Sequence, residues 1–226
     1  MTDDPHGASR IHRRGAARAD LALVLLHGRG AGASDILDLG AALVPAGAAF
    51  FAPEAAGRSW WPTSFLAPMD ALKPWLGSAL SAVDRAVAIA QEEGYAEERI
   101  CLLGFSQGAC LALEYAARTG RRLRAVGALS GGLVGTGDAI GDPSGDLYGH
   151  SPKRFDYAAD LAGLPIYIGC HARDPHIPLA RVRESETVLS GLGADCQIAI
   201  HPGAGHAITA GDVAATRGLL SDPGPT

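Results

Sequence analysis

One pentapeptide constrains this chain more than any other feature. Gly104-Phe105-Ser106-Gln107-Gly108 joins the strand-like run Ile100-Cys101-Leu102-Leu103 to the helix-like run Ala109-Cys110-Leu111-Ala112-Leu113. That leaves room for one tight turn and nothing more. The glycines at either end allow the two elements to cross closely, because glycine has no Cβ to clash. This is G-x-S-x-G in the strand–turn–helix setting of a nucleophile elbow, which pushes the central hydroxyl clear of the backbone. Ser106 is therefore the candidate nucleophile. The chain also has 30 glycines, so an ordinary tight turn is the competing reading, and other segments must decide.

Short apolar runs alternate with amphipathic ones along the 226 residues. Strands are expected at Leu21–His27, Ala48–Ala52, Arg99–Phe105, Arg124–Ser130, Pro165–Cys170 and Gln197–His201. Their continuous apolarity is that of strands covered on both faces. Between them, Pro74 to Glu93 aligns Leu76, Leu80, Val83 and Val87 on one helical face, with Gly94 to end it. Further helices are expected over Gln107–Thr119, Pro178–Ser190 and Thr209–Leu220, the last with Thr209 and Asp212 in capping-box spacing. Repeated β-α units predict an α/β fold with a mostly parallel central sheet, right-handed crossovers and helices on both faces. Residues 1–19 read as an N-terminal arm or edge strand, and 20–226 as a single domain. Two segments fit no unit: Pro53–Pro68 and Gly131–Leu164. Loops this long are often functional, and here they are expected over the carboxyl ends of the strands, where ligands bind.

Charge and cysteine usage exclude several classes. The net charge is −5, and the one basic cluster, Arg10, His12, Arg13, Arg14 and Arg18, reads as a solvated arm or a short edge strand. No nucleic-acid partner is implied. Residues 1–20 lack the apolar core of a secretory signal, and Leu21–Leu26 is too short to span a bilayer. Cys101, Cys110, Cys170 and Cys196 lie in or beside apolar runs without metal-site spacing. They are expected to be free thiols in a reducing cytoplasm, with no metal and no cofactor.

A serine hydroxyl needs a base, and the base is usually held by a carboxylate, in the chain order Ser, Asp, His for this topology. Asp174 follows the strand Pro165–Cys170, and His206 follows the strand Gln197–His201 in a glycine-rich loop. Each stands at the carboxyl end of a strand, so the three can converge. Read alone, Asp174 is also a good turn residue before Pro175, and His206 an ordinary loop histidine. His171 and His176 compete with His206 as the base but flank the acid itself, His201 reads as structural, and His150 is a candidate substrate contact. The developing oxyanion needs two donors. The expected ones are the main-chain N–H of Gln107 and that of Arg29, in the loop His27-Gly28-Arg29-Gly30. The Arg29 side chain is left for a local carboxylate or an acidic substrate group. Trp60, Trp61, Phe65 and Leu66 are candidates to line an apolar substrate pocket.

Taken together, His27-Gly28-Arg29-Gly30, Ala52-Pro53-Glu54-Ala55-Ala56, Trp60-Trp61-Pro62, the serine pentapeptide, Asp174-Pro175-His176-Ile177-Pro178 and Gly205-His206 resemble the phospholipase/carboxylesterase family, which includes acyl-protein thioesterases. The resemblance spans residues 20 to 220 or so. It implies an α/β-hydrolase fold, Ser106, Asp174 and His206 as catalytic triad, and Arg29 and Gln107 as oxyanion-hole amides. Arg29 stands where the thioesterases usually have leucine, which brings the chain nearer the small bacterial carboxylesterase-like branch. The activity expected is that of a serine carboxylesterase on small acyl esters, working as a monomer or homodimer. Acyl thioesterase and lysophospholipase activities use the same triad. Two readings of other classes remain. Gly28–Ala33 also satisfies the dinucleotide-binding pattern G-x-G-x-x-A, with Glu54 after the second strand. A hydrolase fold can also serve as a ligand receptor without catalysis.

Overall fold

The computed structural model describes residues 4–16, 19–44, 47–139 and 145–221. Seven strands form one sheet: β1 (Ile11–Gly15), β2 (Leu21–Leu26), β3 (Ala48–Pro53), β4 (Ile100–Phe105), β5 (Ala125–Leu129), β8 (Pro165–Arg173) and β9 (Asp195–Ala204). Their order across it is β1-β3-β2-β4-β5-β8-β9. Only β1 runs antiparallel, paired with β3; the other neighbours are parallel. A separate two-stranded ladder, β6 (Gly137–Asp138) with β7 (Lys153–Arg154), lies in the long excursion after β5.

Strand side chains alternate between the faces, and the helices fall into two layers accordingly. Ala22, Val24 and Leu26 of β2 pack toward α3 (Trp75–Glu92), α4 (Gln107–Thr119) and α5 (Leu179–Gly191). Leu21, Leu23 and Leu25 pack toward α1 (Ala33–Leu43) and α6 (Ala210–Ser221). Both faces of β2 are therefore covered, and all six of its residues are buried. Among the described residues no helix is long and apolar enough to cross a membrane.

The expected helices form with small shifts at their ends. α4 stops at Gly120, which adopts the left-handed conformation at φ 60°. At α6, Thr209 donates its N–H to Asp212 at 2.8 Å, and Asp212 returns its own N–H to the Thr209 hydroxyl at 3.1 Å, a reciprocal cap. Two further elements were not expected as such. α1 carries Gly40 in its interior, a residue of low helix propensity that weakens its helix signal. Gly40 is needed by packing, since a Cβ there would come within 2.5 Å of the Leu25 side chain. The short helix α2 (Met69–Leu72) interrupts the approach to α3. Of the basic cluster, His12, Arg13 and Arg14 lie on the edge strand β1, with Arg13 paired to Glu93, and Arg14 to Asp38, whereas Arg18 lies outside the described residues.

The sheet order places the site. From β2 the chain moves outward to β3, then returns to the other side of β2 as β4. Loops after β2 and β4 therefore diverge and leave a crevice at the carboxyl ends of those strands. The excursion after β5 is drawn toward it by buried Glu114 of α4, which accepts the N–H groups of Val134 at 2.9 Å and Gly135 at 3.2 Å and the Tyr157 hydroxyl at 2.8 Å.

Candidate active site

Ser106 sits between β4 and α4 at φ 55°, ψ −119°, a left-handed conformation rare for a residue with a side chain. Its N–H is held by the Leu129 carbonyl at 2.8 Å. The flanking glycines are required by contact. A Cβ on Gly104 would lie 2.2 Å from the Gly108 carbonyl oxygen, and one on Gly108 would lie 2.1 Å from that of Leu26. The turn thus lifts the hydroxyl from the carboxyl end of β4 into the crevice.

Three distant loops meet there. The Ser106 hydroxyl lies 2.8 Å from His206 Nε2. His206 Nδ1 lies 2.8 Å from Asp174 Oδ2. The other Asp174 oxygen accepts the N–H groups of His176 at 2.8 Å and Ile177 at 3.0 Å, which fixes the carboxylate plane. Burial opposes the charge on Asp174, but the hydrogen bond from His206 and the two amides outweigh it and hold the carboxyl below its ordinary value. The carboxylate is therefore ionised and aimed at Nδ1, leaving Nε2 free to accept the serine proton. The His206 ring packs against Phe105 at 5.2 Å and edge-on against His176 at 4.8 Å.

The loop that holds His206 is tied at both ends. His201 Nε2 lies 2.7 Å from Asp212 Oδ1, which also accepts the Tyr167 hydroxyl at 2.8 Å. His201 is thus the structural histidine its place on a strand suggested. His171 lies under Gly205, where a Cβ would come 3.0 Å from its Nε2.

A cavity of about 430 Å³ opens beside Ser106 and His206. Arg29 and Gln107 both line it. Gln107 is the first residue of α4, so its N–H has no acceptor within the helix. Gly28 packs on the elbow, its missing Cβ 3.3 Å from that of Ser106, which brings the Arg29 main chain close. The Arg29 side chain meets no carboxylate among the described residues. It donates to the carbonyls of Trp61 and Thr63 and so braces the loop after β3.

Of the four apolar candidates, Trp61 and Phe65 line the cavity, whereas Trp60 and Leu66 do not. Trp60 is fully buried, with its indole N–H donated to the His27 carbonyl at 2.9 Å and its ring between His6 and His27. Leu66 belongs to the core against the helices. Adjacent residues point different ways, and only one tryptophan of the pair can face the ligand. His150 also falls outside the cavity lining and pairs through its main chain with Leu147. Sequence reasoning missed Tyr148, His176 and Cys110 as wall residues. Tyr148-Gly149 is a turn signal inside the long excursion, but nothing in its spacing points at Ser106.

Other sequence expectations also meet the structure here. Glu54, which a dinucleotide site would use on a ribose, instead accepts the Ala33 N–H at 3.0 Å at the start of α1. All four cysteines are free, and burial pushes the thiols of Cys101, Cys110 and Cys170 up to about 12.

Residues 13–216 match the dienelactone hydrolase family. The chain belongs to that family. Among solved structures it is similar to a phospholipase/carboxylesterase from Dyadobacter fermentans, at 36% identity and TM-score 0.82, covering 94% of this chain and 96% of that one. It also shares its fold with a carboxylesterase from Mesorhizobium loti, at 24% identity and TM-score 0.68, with 96% of each chain covered. A third neighbour is the Bacillus cereus carboxylesterase, at 18% identity and TM-score 0.72, covering 96% of this chain and 95% of that one. No curated protein matches the chain. This member of the dienelactone hydrolase family thus has the α/β-hydrolase fold and is a serine esterase, an enzyme that hydrolyses carboxylic esters.

Proposed function

We propose that the protein hydrolyses small acyl esters through an acyl-Ser106 intermediate. The observation that carries this is the unbroken hydrogen-bond chain from Ser106 Oγ through His206 to Asp174. His206 Nε2 takes the hydroxyl proton as Oγ attacks the ester carbonyl. The oxyanion is met by the main-chain N–H groups of Arg29 and Gln107. The tetrahedral intermediate collapses, the Nε2 proton passes to the leaving alkoxide oxygen, and the alcohol departs. Water then attacks the acyl-enzyme with His206 as base, and the acid leaves with Ser106 restored. Asp174 keeps its charge throughout and stabilises the imidazolium. Every proton is carried by these side chains, so the scheme calls for no metal or cofactor.

The cavity of about 430 Å³ is large enough to hold the acyl and alcohol parts of a small ester together. Four free thiols suit a reducing compartment, and we place the enzyme in the cytoplasm on that ground. The test is hydrolysis of p-nitrophenyl acetate with labelling by a fluorophosphonate. Ser106→Ala is expected to lose both, with kcat down by about 10⁴-fold or more. Turnover at the wild-type rate in that variant would sink the mechanism.

A further inference from the structure

Tyr148 is the one large hydrophobic side chain that stands exposed among the described residues, at 55%. It nevertheless lines the cavity beside Ser106 and His206. Its φ is +52°, and that of Gly149 is +79°. Leu147 and His150 exchange both main-chain hydrogen bonds, at 2.9 and 3.0 Å. These four residues form a two-residue hairpin turn with both central residues at positive φ, a turn that asparagine-glycine suits best. A bulky aromatic residue in the first central position is strained there. With its ring largely exposed, little packing offsets that strain. Among the described residues its side chain makes one hydrogen bond, the hydroxyl donated to the Asp174 carbonyl oxygen at 2.6 Å.

That tether fixes the ring against the segment that orients the base. Asp174 holds His206, while Pro175 and His176 of the same segment line the cavity with Tyr148. In the proposed reaction His206 Nε2 hands its proton to the departing alcohol, so the alcohol part of the ester must lie on this side. Trp61, Phe65 and Cys110, which come from the loop after β3 and from α4, form part of the remaining wall and are left for the acyl part.

We infer that Tyr148, with His176, forms a subsite for a flat aromatic ring on the alcohol portion, so that the enzyme selects aryl-bearing alcohols over saturated ones of the same size. The inference rests on the Ser106–His206 reading. The strained turn is kept because it presents a ring there, at a place where asparagine would be the easier residue.

The test compares benzyl acetate with cyclohexylmethyl acetate, which share the acyl group and release primary alcohols of similar size. The wild type is expected to favour the benzyl ester by about 3- to 10-fold in kcat/KM, the worth of one good aromatic contact. Tyr148→Asn suits the turn, so the variant folds, and its preference falls to within about twofold. Tyr148→Phe keeps the ring and the preference. A wild type without preference, or Tyr148→Asn with the wild-type ratio, overturns the subsite. Equal loss of preference in Tyr148→Phe assigns it to the tether and overturns the role of the ring. Ser106→Ala, measured alongside, separates the two ideas. Its failure to abolish turnover of both esters strikes the mechanism, whereas a flat ratio with intact turnover strikes only the subsite.

Discussion

The Gln107 side chain holds the main chain of the tryptophan pair. Its Oε1 accepts the Trp60 N–H at 2.8 Å, and its Nε2 donates to the Trp61 carbonyl at 2.8 Å. The residue after Ser106 therefore ties the elbow to the loop that walls the cavity, while its own N–H stays available for an oxyanion. Replacing Gln107 with alanine keeps that N–H but orphans the buried Trp60 N–H, while the Trp61 carbonyl keeps Ser59 and Arg29 as donors. The expected cost is about 1–3 kcal/mol of stability, read by chemical denaturation, together with a raised KM as Trp61 loosens. An unchanged denaturation midpoint would show that the clamp is idle.

Asp174→Asn is expected to fold, because Oδ1 can still accept the amides of His176 and Ile177. Its amide cannot hold the imidazole in the tautomer that leaves Nε2 free, nor stabilise the imidazolium. The proposed mechanism therefore predicts a fall in kcat of about 10⁴-fold with little change in thermal midpoint. Steady-state kinetics and a melting curve on the same sample check both halves.

Two buried histidines make stability depend on pH near neutrality. Burial is the main cause that holds both His6 and His27 below the ordinary histidine value of 6.5. Each uses a ring nitrogen as acceptor: His6 Nδ1 from the Ala56 N–H at 3.0 Å and His27 Nε2 from the Ala55 N–H at 3.1 Å. The unfolded chain binds more protons than the folded one in this range, so stability is full above pH 6.5 and falls as pH drops through it. The melting temperature is expected to decline between about pH 7.5 and 5.5, and to decline less in His6→Gln. Parallel pH profiles of the two proteins would refute this.

Gly108→Ala places a methyl group 2.1 Å from the Leu26 carbonyl oxygen, with no flexible side chain to yield. The loss is expected to reach about 3 kcal/mol or more, whereas Gly30→Ala, whose site has nothing within 4 Å, pays only for its φ of +82°. Denaturant midpoints of the pair rank the two effects.

Much of this was legible in the sequence because it is local. Apolar runs marked all six parallel strands within about three residues of their observed bounds, and the helix of Gln107–Thr119 was bounded by Ser106 before and Gly120 after. The order Ser106, Asp174, His206, each after a parallel strand, placed all three at the carboxyl ends of the strands. α1 was missed because Gly40 weakens its helix signal, and that glycine is required by packing on Leu25, a contact the sequence does not show. The arm was ambiguous because His6 finds its partners, Ser78 and the Trp60 carbonyl, 72 and 54 residues away.

The sequence by itself determined the alternation of elements and brought Ser106, Asp174 and His206 forward as the candidate reacting groups, since periodicity, tight turns and the order of strands act over a few residues. Only the tertiary structure decided which tryptophan faces the cavity, where the Arg29 side chain is spent, and that Tyr148 comes to lie beside His206. Those outcomes depend on contacts between segments far apart in the chain, where the space left by one loop fixes how the next can turn.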